Sequence, residues 1–107
     1  MYYTYDLDSP MSILSLLAER VKKRRLEKGL SRETLSQLSG VPVPTIAKFE
    51  QKHTISLKSF IALTMPLDYT EDIKQLLSEP KFRTIKELQQ INDNQNRKRG
   101  GRRDERY

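Results

Sequence analysis

The chain has 107 residues, enough for one small domain with tails, and carries 20 Lys and Arg against 14 Asp and Glu. The resulting charge of +6 and pI of about 9.7 favour a polyanionic partner. Cysteine is absent and histidine occurs once, which excludes disulfides and leaves little material for a metal site, a cofactor ligand or a nucleophile with its base. No apolar run approaches the ~20 residues that span a bilayer, so no membrane association is expected. The absence of disulfides suits a reducing cytoplasm.

Residues 1–8, MYYTYDLD, hold three of the five tyrosines and read as a flexible arm. With Asp6 and Asp8 and no basic run, they do not resemble a secretory signal. Ser9-Pro10 is a helix start, a cap followed by proline at the first helical position. The first helix is predicted from about Pro10 to Lys28. Leu14, Leu17, Val21 and Arg25 share its inner face, and Ile13, Leu16 and Ala18 widen it. Its last turns are dense in cations, from Arg20 to Lys28, which suit a helix C-terminus.

Ser31 to Glu50, SRETLSQLSGVPVPTIAKFE, holds two short helical patterns with a tight turn between them. Ser31 caps the first, and Leu35 and Leu38 follow at helical spacing. Gly40 ends it, because glycine takes the left-handed conformation without steric cost. Pro42 and Pro44 suit the start of the next helix and no other part of it. Ile46 and Phe49 then point inward, leaving Val43, Pro44, Ala47 and Lys48 outside. Two helices joined this way, the second with a small exposed leading face, form a helix-turn-helix.

Ser56 caps a fourth helix, about Leu57 to Met65, expected to bury Leu57, Phe60, Ile61 and Leu63 and to stop at Pro66. Thr70 is read as the cap of a fifth, about Glu71 to Ser78, with Ile73, Leu76 and Leu77 on its apolar side. Residues 80–91 form a short extension in which Ile85, Leu88 and Ile91 repeat every third residue. Residues 92–107 lack apolar periodicity and read as a disordered tail. The tail has six Lys or Arg against three Asp or Glu, half of the whole chain's surplus. Arg97, Lys98, Arg99, Arg102 and Arg103 suit a DNA backbone or a narrow minor groove, or else simply keep the chain in solution.

The stretch resembles the helix-turn-helix of the Cro/phage-repressor-like (XRE) transcription factors. The residues that carry this resemblance are Gly29-Leu30-Ser31, Leu35, Gly40-Val41, Thr45-Ile46 and Phe49-Glu50. The resemblance covers about Leu14 to Leu77 and implies an all-α, five-helix, lambda-repressor-like domain over residues 9–79. PVPTIAKFEQKHTISLKSF, the acidic fifth segment and the basic tail look most like HipB-type antitoxins, which are encoded beside HipA-like kinase toxins. By the same resemblance, Arg25 pairs with Glu50 and clamps the first helix to the third.

A helix-turn-helix enters the major groove by the N-terminal end of its second helix. Pro42, Val43 and Pro44 would press on thymine methyls there. Thr45 would reach a base or a phosphate, and Lys48 a guanine edge or a phosphate. Ser31, Arg32 and Lys52 are the candidates for holding the DNA backbone, with Lys58 as a further one. The expected partners are operator duplex DNA, read by a homodimer at half-sites ~34 Å apart, and a HipA-like kinase toxin. A module that chiefly binds and inhibits a toxin is the alternative. RNA binding shares the charge but lacks an aromatic platform. No motif supports an enzyme.

Overall fold

The computed structural model describes residues 9–79 and 84–100, the last three by their backbone only. The expected arm at residues 1–8, and Arg102 and Arg103, lie outside the described residues. The chain divides into two units, Met1–Leu76 and Leu77–Tyr107. No helix among the described residues is long and apolar enough to cross a membrane.

The first unit holds α1 (Pro10–Glu27), α2 (Arg32–Ser39), α3 (Val43–Lys52), α4 (Leu57–Thr64), a 3₁₀ turn (Met65–Leu67) and α5 (Thr70–Gln75). Side-chain caps set three of the helix starts. Ser9, Ser31 and Ser56 are in extended conformation, and each Oγ accepts the N–H three residues on. This satisfies a first-turn amide that has no partner within its own helix.

The core is built from the inner sides of these helices. Ala18 and Val21 of α1, Leu35 of α2, Ile46 and Phe49 of α3, Leu63 of α4 and Leu67 of the 3₁₀ turn are buried, with Val41 beside them. Phe49 meets Phe60 edge-on, at 5.8 Å between ring centres and 75° between planes, a geometry that sets the positive ring edge on the negative face. Burying a Leu, Ile or Phe side chain stabilises the fold by about 1.5–3 kcal/mol.

Several apolar positions differ from the sequence expectation. The inner side of α2 runs through Leu35, Ser36 and Ser39, so Leu38, about a quarter-turn away, is exposed. On α4 the buried stripe is Phe60, Leu63 and Thr64, continued by Leu67. Leu57 lies at the edge of that stripe in the open first turn and is 72% exposed. Ile13 and Leu16 flank the inner side of α1 and are also exposed. Pro66 does not end the helical course, because the second position of a 3₁₀ turn needs no N–H from it. That turn carries Leu67 into the core.

Helix α5 starts at Thr70 instead of being capped by it, and closes at Gln75, short of Ser78. Leu76 is extended there (ψ 127°) and Leu77 is left-handed (φ 60°), so the helix cannot continue. Both leucines are exposed.

In the second unit, α6 spans Ile85–Gly100, with Thr84 Oγ1 accepting the Glu87 N–H at 3.0 Å. The boundary expected near Asn92 is not a helix end. Between Ile85 and Arg99 there is no proline or glycine, and Glu, Gln, Lys and Arg favour helix. Arg97 Nη2 adds a same-helix bond to Asn94 Oδ1 at 2.8 Å.

The turn between α2 and α3 depends on Gly40, whose φ is 79°. A Cβ there would meet nothing within 4 Å, so the penalty for any other residue is conformational alone. Gly40→Ala should therefore cost about 1–2 kcal/mol, read as a lower midpoint in urea unfolding. An unchanged midpoint would mean that the left-handed turn is not needed.

Candidate nucleic-acid interface

The candidate interface is assembled around the start of α3. Pro42 caps the helix without a side-chain bond, its carbonyl accepting the N–H groups of Thr45 and Ile46 at 3.0 and 3.1 Å. Pro44 occupies the second helical position, where a missing N–H does no harm. Because Ile46 and Phe49 turn fully inward, the opposite side of α3 is left to Pro44 and Lys48, both exposed, and to Val43, Thr45 and Ala47, half-buried. Lys52, in the last turn, is exposed as well.

A shallow concavity joins this face to the start of α4. Its walls are Pro44, Thr45, Lys48, Thr54, Ile55, Ser56 and Ser59. Four hydroxyls and one ammonium thus share a single surface. Thr54 and Ser59 were not distinguishable in the sequence. They join Thr45 and Lys48 only because His53, left-handed at φ 68°, turns the chain back after α3. The one sequence signal is the spacing of Thr54, Ser56 and Ser59 around a helix cap.

At the start of α2, Ser31 Oγ accepts the Thr34 N–H at 3.0 Å. Ser31 Oγ also donates to Thr34 Oγ1 at 3.0 Å. Arg32 follows, and its side chain turns towards α3: Nε donates to Glu50 Oε1 at 3.0 Å. Glu50 is also held from α1, where Arg25 donates from Nε to Oε2 at 2.8 Å and from Nη2 to Oε1 at 3.1 Å. Arg25 Nη1 donates to the Leu30 carbonyl at 2.8 Å. Two guanidiniums therefore meet on one carboxylate whose side chain is 1% exposed.

Not all of the cations at the end of α1 are free in solvent. Arg24 Nε donates to the Leu67 carbonyl at 3.2 Å, and Arg24 Nη2 and Lys28 Nζ both meet Asp68 Oδ2, at 3.1 and 2.7 Å. Of the remaining candidates, Arg97 is exposed on α6. Lys98 and Arg99 lie on the same helix and are described by backbone only.

A helix-turn-helix family model matches residues 21–74, 54 of the chain's 107. The chain belongs to that family. No curated protein and no solved structure matches it. The matched stretch contains the last turns of α1, both motif helices, α4 and most of α5. The chain is thus a DNA-binding transcription regulator of the Cro/repressor-like (XRE) type, and α3 is the motif's second helix.

In this regulator the Glu50 carboxyl is subject to opposed effects. Burial pushes its pKa up, but the hydrogen bonds and charges of Arg25 and Arg32 outweigh burial and hold it below the ordinary 4.5. Asp68 is held below its ordinary 3.8, first by the hydrogen bond from Lys28 and then by the Lys28 charge, with smaller help from Arg24.

Arg25→Ala would leave Glu50 with Arg32 alone and remove the link to α1. The loss should be roughly 3–5 kcal/mol, visible as a lower melting temperature at neutral pH. A melting curve identical to wild type would show that the cluster does not hold the domain together.

Both carboxyls bind their proton less tightly in the folded state than in the unfolded one, so acid favours the unfolded chain. The stability they contribute is complete above about 4.5 and is lost as pH falls below 4.5 for Glu50 and 3.8 for Asp68. In a urea-unfolding series, Asp68→Asn should flatten part of the acid limb. An acid limb as steep as wild type would remove Asp68 from this account.

Proposed function

We propose that the chain is a sequence-specific repressor that binds operator duplex DNA as a homodimer. In this reading it is the HipB-like antitoxin of a toxin–antitoxin operon, which it autoregulates, and it binds a HipA-like kinase toxin. The observation that supports operator reading most is the face of α3. Its leading residues are small and exposed, and the hydroxyls of Thr54, Ser56 and Ser59 adjoin it. The antitoxin assignment is supported by the resemblance of residues 42–60, together with the acidic fifth segment and the basic C-terminal residues.

In this reading α3 enters the major groove by its N-terminal end. Pro42, Val43 and Pro44 offer only apolar surface, suited to thymine methyls, while Thr45 and Lys48 supply the polar contacts. Ser31, Arg32 and Lys52 face the backbone, and Thr54, Ser56 and Ser59 add hydroxyls for it. Arg97, Lys98 and Arg99 at the basic end of α6, with Arg102 and Arg103 beyond it, supply charge without reading sequence. So few polar base contacts imply modest discrimination per half-site. Duplex shape and the pairing of two half-sites ~34 Å apart supply the rest.

The test is binding of the full chain to the duplex upstream of its own gene, against a scrambled duplex, at low and physiological salt. A preference for the upstream duplex that survives the higher salt is expected, and Lys48→Ala should lose most of it, about 1–3 kcal/mol of discrimination. Equal, weak and steeply salt-dependent binding to both duplexes would replace this reading with a module that chiefly binds its toxin.

A further inference from the structure

Arg32 is the residue whose engagement the DNA-binding reading does not explain. Arg25 already neutralises Glu50 with a two-pronged contact to both carboxylate oxygens. A second guanidinium is not needed to cancel that charge, and it gives the cluster a surplus of +1, with Arg25 and Arg32 repelling each other across one carboxylate. Yet Arg32 holds Glu50 Oε1 by Nε and Nη2, both at 3.0 Å. Its side chain is 30% exposed, against 8% for Arg25.

The guanidinium is planar and two-sided. With the edge carrying Nε and Nη2 turned to Glu50, the Nη1 edge faces the other way. Among the described residues, Nη1 has no hydrogen-bond partner. Arg32 is also the first residue of α2, and Ser31 Oγ takes the N–H of Thr34, not those of Arg32 or Glu33. First-turn amides have no acceptor within their own helix. A fixed cationic edge and open amides thus belong to the same turn.

We propose that Arg32 is a two-edged positioning residue, with one edge fixed on Glu50 of α3 and the other taking a DNA phosphate at the start of α2. The inference rests on the DNA-binding reading and deepens it. The side chain that holds α3 in place is then also the one that meets the backbone, so α3 is set at a fixed height above the phosphates. Lysine cannot replace it, because one ammonium is a point charge and does not supply two opposed, coplanar edges.

The experiment uses the full chain, its Arg32→Gln and Arg32→Lys variants, and the duplex upstream of its own gene. It measures melting temperature without DNA and the dependence of log affinity on log salt. Arg32→Gln should lower the melting temperature and also reduce the salt slope by about 0.9, the share of one phosphate contact. Arg32→Lys should recover the slope at most and leave the melting temperature low.

A lower melting temperature with an unchanged slope would make Arg32 a structural residue only. A reduced slope with unchanged melting would make it an ordinary phosphate contact, untied to Glu50. Recovery of both properties by lysine would also overturn the two-edged role. If the wild-type chain bound no duplex at all, the DNA-binding reading itself would fall, and the inference with it. Wild-type binding with a normal slope in Arg32→Gln would remove the inference alone.

Discussion

A carboxylate taken out of water costs several kcal/mol unless opposite charge and good hydrogen-bond geometry are waiting for it. Glu50 meets that condition through residues from three separate parts of the chain: Arg25 on α1, Arg32 on α2 and its own place near the end of α3. Arg25 further binds the carbonyl of Leu30, in the loop that leads into α2. The arrangement of these three helices is therefore over-determined around one carboxyl group. Apolar contacts at Leu35, Ile46 and Phe49 supply the bulk of the burial but little direction. The ion cluster supplies direction, because guanidinium and carboxylate tolerate few mutual orientations.

The second polar cluster works at the other end of the domain. Arg24 and Lys28, near the C-terminus of α1, hold Asp68 after the 3₁₀ turn, and Arg24 also binds the Leu67 carbonyl. This cluster is more exposed, and exposed pairs contribute less than buried ones. It fixes the point at which the chain leaves the core towards α5. The basic end of α1 thus has two roles that composition alone does not separate: part of it is structural, while Arg20, Lys22 and Lys23 remain exposed.

Much of the fold was legible in the sequence because its punctuation is local. Ser9-Pro10, Gly40, Pro42 and Ser56 each act within a turn of their own position, and the structure begins or ends helices there. Ile46 and Phe49 were legible as core because three-residue spacing selects one side of a helix. Leu38 and Leu57 were not, because spacing says which residues share a side but not where the neighbouring helix stops. The length of α6 was missed for a different reason. Low apolar content argues against packing, but it does not stop a run of helix-favouring residues from forming one. The grouping of Thr54 and Ser59 with Thr45 and Lys48, and the turn of Arg32 towards Glu50, depend on tertiary contacts that no local pattern encodes.

The division of α3 into a buried side and an open side has a consequence for how such a protein changes over time. Ile46, Phe49 and Glu50 are committed to the interior, where each substitution is felt by several neighbours. Pro44 and Lys48 project from the same ten residues and share almost none of those neighbours. Substitutions at such independent positions combine nearly additively with those in the core. Drift in target preference can therefore proceed on the open side while the scaffold stays under purifying constraint. Duplicated copies of the gene could diverge in the sites they regulate without first passing through an unstable intermediate.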